Sequence, residues 1–188
     1  QEVLEDTLIL TGELEVVMRE LGGIISLYHS SEFVTRGEFG TYVRPLLKNH
    51  PFIQAFEWIP RVDHSEKEGF EGITRSMGYA DFHIFGSAGI SEVKQEYFPV
   101  HYTEPLPDNE QTLGFDMSSD PQLLGLTNLA RDTGRAVSAS RFGTVPNARS
   151  KSDLIILAPF YNEGRKPERT EERREYLKGF VLGIYRVE

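Results

Sequence analysis

The chain has 188 residues, no cysteine, and 29 acidic against 20 basic side chains, which leaves a formal charge of −9. That length can bury one substantial core or two small, closely packed subdomains. An acidic surface excludes nucleic acid and anionic lipid as main partners, because both need a basic face, and the lack of cysteine excludes a disulfide scaffold, a thiol nucleophile and cysteine-ligated zinc.

Residues 1–30 carry apolar or near-apolar side chains at Leu4, Leu8, Thr11, Leu14, Met18, Leu21, Ile25 and Tyr28. Steps of three and four define one helix face. The stripe reads either as a coiled-coil seam, with Leu14, Met18, Leu21 and Ile25 at its centre, or as a face packed on the chain's own core. Gly22-Gly23 interrupts the helix formers and marks a bend or a close contact. A second helix is predicted from Thr35 to Asn49. Thr35 and Glu38 have capping-box spacing, and His50-Pro51 closes the segment.

From Phe52 the period changes. Ile53–Val62 has strand composition, with Pro60 demoting its end. Ser65–Met77 reads as a short helix, and Asp81–Phe85 and Tyr97–Tyr102 as short strands. Pro121–Thr133 reads as a helix with Asp120 as N-cap and Gly134 after its end. Ala136–Phe142, Leu154–Tyr161 and Tyr176–Val187 complete the strands. LIILAPFY is nearly continuously apolar and belongs mid-sheet. Gly179 and Gly183 leave room on their strand for another backbone or a ligand. The charge run Asn162–Arg174 reads as a solvated loop. The fold class is therefore α+β: a long N-terminal stalk helix and second helix over 1–51, then a PAS-like unit over 52–188 with a largely antiparallel five-stranded sheet and flanking helices.

No phosphate-binding glycine loop, nucleophile elbow or H-E-x-x-H helix is present. The five histidines are scattered, and Asp81-x-His83 could point two ligands to one side of a strand. Neither a metal nor a cofactor is expected. No run of about 18 apolar residues is available to span a membrane. Gln1 opens on a charged helix without a leader, so the chain reads as a segment cut at both ends.

The ordered motifs carry a resemblance. T-R-x-E-F at Thr35–Phe39, HP at His50-Pro51, EWIPRV at Glu57–Val62, YFPV at Tyr97–Val100, GFDM at Gly114–Met117, ARDTG at Ala130–Gly134, APFY at Ala158–Tyr161 and KGFVLGIYR at Lys178–Arg186 stand in one order. In that order they resemble the CHASE domain, the extracytoplasmic sensing module of bacterial and plant membrane receptors. The resemblance implies a periplasmic small-molecule sensor rather than an enzyme, the extracytoplasmic portion of an inner-membrane protein. It further implies flanking transmembrane helices, homodimerisation along the stalk, and output by a histidine kinase or diguanylate cyclase. Plant relatives bind adenine-type cytokinins and have an Asp-Glu-Tyr lead where this chain has Gln95-Glu96-Tyr97, so that ligand is not carried over. From strand position and the family frame, the expected ligand-lining residues are Trp58, Phe98, Tyr102, Phe115, Ser138, Arg141, Leu157, Tyr161 and Gly179. Arg141 is expected either to meet an anionic or carbonyl-bearing ligand or to pair with Asp116. The rival readings are a ligand-free dimerisation or protein-interaction module, and a hydrolase whose site assembles in space.

Overall fold

The computed structural model describes residues 2–87, 93–140, 153–162 and 167–186. Helix α1 (Glu2–His29) is followed by α2 (Arg36–Asn49), strand β1 (Ile53–Pro60), β2 (Val62–Asp63) and α3 (Lys67–Ser76). Then come β3 (Glu96–Tyr97), β4 (Tyr102–Glu104), α4 (Pro121–Thr133), β5 (Val137–Ser140), β6 (Asp153–Tyr161), α5 (Thr170–Tyr176) and β7 (Leu177–Arg186). Five strands form one antiparallel sheet in the order β4-β1-β7-β6-β5, and β2 pairs with β3 apart from it. The α+β class with a five-stranded antiparallel sheet is thus as expected, and the apolar β6 does lie inside it.

The helix ends follow their local chemistry. Thr35 and Glu38 form the capping box: the Thr35 amide donates to the Glu38 carboxylate at 2.8 Å and the Glu38 amide to Thr35 Oγ1 at 3.2 Å. Helix α2 then continues past Pro45 to Asn49. Asp120 accepts from the amides of Gln122 (2.9 Å) and Leu123 (3.0 Å), and Gly134 ends α4 with φ 62°.

Both sheet faces are covered. On one, Ala55, Ile59, Leu157, Phe180, Leu182 and Ile184 pack with Phe98, Phe115, Met117 and the α4 residues Leu123 and Ala130. On the other, Phe56, Trp58, Ile156, Val181 and Tyr185 pack with Val17, Leu21 and Ile24 of α1 and Phe39 and Val43 of α2. Each such buried aliphatic side chain contributes about 1.5–3 kcal/mol relative to exposure, so α1 is held on the sheet along much of its C-terminal half. Gly183 permits the close approach, since a Cβ there would stand 3.2 Å from Val17 Cγ1.

Four expectations need correction, the first being that Tyr97–Tyr102 is not one strand: Tyr97 ends β3, Tyr102 begins β4, and the residues between them belong to neither. The inward face of α1 is Val17, Leu21, Ile24 and Tyr28, which shares Leu21 and Tyr28 with the predicted stripe but has Val17 and Ile24 in place of Met18 and Ile25. Leu21 is therefore 1% exposed in its own core and unavailable to a second subunit; Ile25 is half-buried, and Leu14 and Met18 lie outside at 38% and 42% exposure. Apolar residues on adjacent faces (Val16-Val17-Met18, Ile24-Ile25) left the sequence degenerate, and the glycine groove on β7 selects the rotation. Asp81–Phe85 is not a strand: Phe85 makes isolated bridging bonds only, donating to the Gly114 carbonyl (3.0 Å) and accepting from the Asp116 amide (2.8 Å). The charge run is not wholly loop, because its end begins α5. Arg174 of that helix pairs with Asp132 at 2.7 Å, and Arg173 donates to the Asp132 carbonyl at 2.6 Å. Hydrogen bonds from Arg174 and then Arg131 hold the Asp132 carboxyl well below the usual carboxylate range.

Candidate functional site

Where the C-terminal end of α1 meets the rim of the sheet, a cleft of about 430 Å³ opens between the α1–α2 connection, β1, β4 and the start of α3. Its size suits a small molecule. Trp58 is the only tryptophan of the chain. Its ring stacks on Tyr28 of α1 at 4.0 Å between centroids and meets Phe160 edge-on at 5.6 Å. Tyr102 stands opposite Trp58 in the β1–β4 register, and the His101 ring stacks on it at 4.2 Å. Phe33, Val34 and Phe70 add apolar surface, while Arg61, Lys178, Asn162 and Glu32 supply the polar part of the lining.

Two phenolic oxygens set this cleft apart; a third buried atom of its lining, Arg61 Nε, makes no hydrogen bond but stands 2.8 Å from Glu96 as an ion pair. The hydroxyls of Tyr28 and Tyr102 are both buried, and neither has a hydrogen-bond partner among the described residues. Buried polar groups are nearly always paired, and each unpaired one costs about 1–3 kcal/mol. Burial, and then the neighbouring Tyr79, push Tyr102 up to about 12, and burial, and then Tyr102, raise Tyr28 as well, so both stay protonated and can donate. Removing either hydroxyl is therefore expected to stabilise the unliganded protein. Tyr28→Phe and Tyr102→Phe should each gain about 1 kcal/mol in urea unfolding; a loss of that size in both would show the hydroxyls to be paired.

His101 is buried and neutral, its pKa lowered to about 4 by desolvation. Its tautomer follows from its neighbour. Thr74 Oγ1 donates its single proton to the Phe70 carbonyl at 2.8 Å, so at its 3.2 Å contact with His101 Nε2 it must accept. His101 thus carries its proton on Nε2, and Nδ1 is left as an acceptor.

Of the expected lining residues, the cleft brings together Trp58 and Tyr102. Phe98, Phe115, Leu157 and Tyr161 belong to the packed core on the opposite sheet face, where Phe98 meets Phe180 edge-on and the Tyr161 hydroxyl donates to the Arg131 carbonyl at 2.6 Å. Ser138 is exposed on the edge strand β5. Gly179 serves the backbone: at φ 153° a Cβ would collide with the Ile59 carbonyl across the β1–β7 ladder. Arg141 lies outside the described residues. The partner suggested for it, Asp116, is 2% exposed and pairs with Lys94 at 2.9 Å. The pair Asp81-x-His83 closes on itself, with His83 Nδ1 3.0 Å from the Asp81 carbonyl.

Sequence reasoning missed Tyr28, His101, Phe160 and Lys178. Tyr28 ends the α1 stripe and Phe160 sits in APFY, but only the docking of α1 on the sheet brings them to Trp58. A larger, more open groove between α1 and α2 is lined by Leu27, Thr35, Glu38 and Tyr42. It contains no orphaned buried polar atom, and for that reason the cleft is the better candidate.

Residues 32–188 match the family model described as CHASE domain. A hybrid signal transduction histidine kinase A from Dictyostelium discoideum is 24% identical over 180 residues, which cover 88% of this chain and 8% of that protein. The chain thus spans a small part of that relative's length.

Proposed function

The chain belongs to the CHASE domain family, whose members are non-catalytic sensor domains of signalling receptors, and from that premise we propose that the cleft at the foot of α1 is its small-molecule site. The observation that carries this is the pair of unpartnered buried hydroxyls, Tyr28 and Tyr102, in an aromatic-walled cavity. A ligand that satisfies both recovers a free-energy cost the unliganded fold already bears.

The same geometry supports a route for the signal. Tyr28 sits in the last turn of α1, whereas Trp58 and Tyr102 sit on the sheet. A ligand bridging them favours one seating of the helix on the sheet over another, and differential affinity for two seatings is the physical requirement for a ligand to shift them. In this reading the chain is an extracytoplasmic, PAS-like segment of a membrane-bound receptor. No described helix is long and apolar enough to cross a membrane itself.

A plug distinguishes this site from others. Ser31 is half-buried, lines the cleft and belongs to neither sheet core, so Ser31→Trp fills the cavity with little damage elsewhere. A metabolite panel screened by thermal shift is expected to yield compounds that raise Tm by several degrees at about 100 times Kd. The plugged variant should show no such rise. Stabilisation that survives the plug, or a panel in which nothing stabilises the parent protein, would count against the site.

A further inference from the structure

Resting on the reading of the cleft as the ligand site, we infer that its ligand is a hydroxyaryl carboxylate, bound hydroxyl-first with its acid at the mouth. The cleft has two chemically different ends. At the buried end are two phenolic O–H donors without partners among the described residues, and His101, which also lines the cleft, has a ring nitrogen left as an acceptor. A ligand hydroxyl both accepts from a phenol and donates to an imidazole nitrogen through one atom. A carbonyl could do only the first, and an ammonium only the second.

Between the ends the walls are Trp58, Phe160 and Pro60, which suit a flat ring. At the outer end stand Arg61 and Lys178. Arg61 is committed: it pairs with Glu96 at 2.8 Å and donates to the Arg174 carbonyl at 3.0 Å. Lys178 has no ion-pair partner among the described residues and is exposed. Glu32 also lines the cleft and is exposed, and because Glu96 and Asp63 already face Arg61 at 2.8 and 3.4 Å, Lys178 is the cation left to meet a ligand. An ammonium at the mouth of a cleft favours an anionic group on the ligand.

The strand register fixes the separation. Trp58 pairs with Tyr102, and Pro60 with Gly179, the residue after Lys178. The backbone of Lys178 is therefore two to three strand positions from that of Tyr102, roughly 7–10 Å at the rise of a β-strand. A hydroxyl and a carboxylate at the two ends of a phenylpropanoid skeleton stand about that far apart.

The test uses 3-(4-hydroxyphenyl)propanoate with two analogues, 3-phenylpropanoate and 3-(4-hydroxyphenyl)propanamide, each titrated calorimetrically into the parent protein, Tyr102→Phe, Lys178→Gln and Ser31→Trp. The parent protein is expected to bind the hydroxy acid at least tenfold more tightly than either analogue. Tyr102→Phe should bring the two acids close to equal affinity, and Lys178→Gln should bring the acid and its amide close to equal. Absence of saturable binding of the hydroxy acid by the parent protein would overturn the ligand class. Preferences unchanged by the two substitutions would overturn it as well. If the amide binds as well as the acid and the plug abolishes both, the cleft remains the site and the acid class fails. If binding persists in Ser31→Trp, the reading of the cleft fails with it.

Discussion

Asp116→Ala should destabilise the protein by about 3–5 kcal/mol. The carboxylate is 2% exposed and serves several donors at once. Oδ1 accepts from the amides of Phe98 and Ser118, each at 3.0 Å, and Oδ2 accepts from Lys94 Nζ at 2.9 Å; the Ser118 hydroxyl donates as well, at 2.8 Å. The Phe98 amide is the costliest to strand, because its bond is wholly buried. Asp116 thereby joins the YFPV segment to the GFDM segment, which also exchange backbone bonds: Val100 donates to the Phe115 carbonyl and Gly114 to that of Val100. For a domain of this size the loss corresponds to a fall in Tm of roughly 10 °C or more. Lys94 is partly exposed, so Lys94→Met should cost much less than Asp116→Ala. Equal losses in the two variants would mean that the ion pair, not the backbone amides, carries the energy. A loss below about 1 kcal/mol for Asp116→Ala would show that the segments do not depend on it.

Acid should weaken the fold in a window set by His101. Its folded pKa, lowered to about 4 by burial, lies below the unfolded value of roughly 6.5. Between those values the unfolded chain binds the extra proton, so stability rises with pH there. The contribution is complete above about pH 6.5 and is lost as pH falls towards 4, by roughly 3 kcal/mol at most. Asp132 acts in a different range. Its folded pKa is depressed by Arg174 and Arg131, so its contribution is present above its unfolded pKa of about 3.9 and disappears only below it. Urea unfolding at a series of pH values separates the two. His101→Gln should flatten the profile between pH 6.5 and 4 and leave the steeper loss below pH 4. A profile unchanged by His101→Gln would place the titrating group elsewhere.

What could be read from the sequence was what neighbouring residues decide among themselves. Asp120-Pro121 and Gly134 bounded α4 because capping is local, and Thr35 with Glu38 fixed the start of α2 for the same reason. The continuous apolar run of β6 placed it inside the sheet because both of its faces are covered. What could not be read was decided across the fold. Alternation separates Trp58 from Ile59 onto two faces but does not say which face α1 covers. The expected lining set therefore mixed Trp58 and Tyr102 with Phe98, Phe115, Leu157 and Tyr161 from the other face. Residues 170–174 looked like solvated charge because the partner that gives Arg174 a place, Asp132, lies 42 positions away. Tyr28 was legible as the end of a helical stripe and not as part of a site, because its counterpart Trp58 is brought to it only by docking. The two hydroxyls could not be recognised at all, since an unpaired polar atom is a property of packing.

The cleft contains its own reporter, because Trp58 is the only tryptophan in the chain and forms part of the cavity wall. The most direct measurement is Trp58 emission followed through a titration with any compound that stabilises the protein. Occupation of the cleft displaces or covers the indole where it stacks on Tyr28, so emission should change saturably with the same midpoint as the stabilisation, and both should vanish in Ser31→Trp when the indole at 58 is compared with a Trp58→Phe control. A compound that raises Tm while Trp58 emission stays constant would place the ligand elsewhere and contradict the cleft as the sensing site.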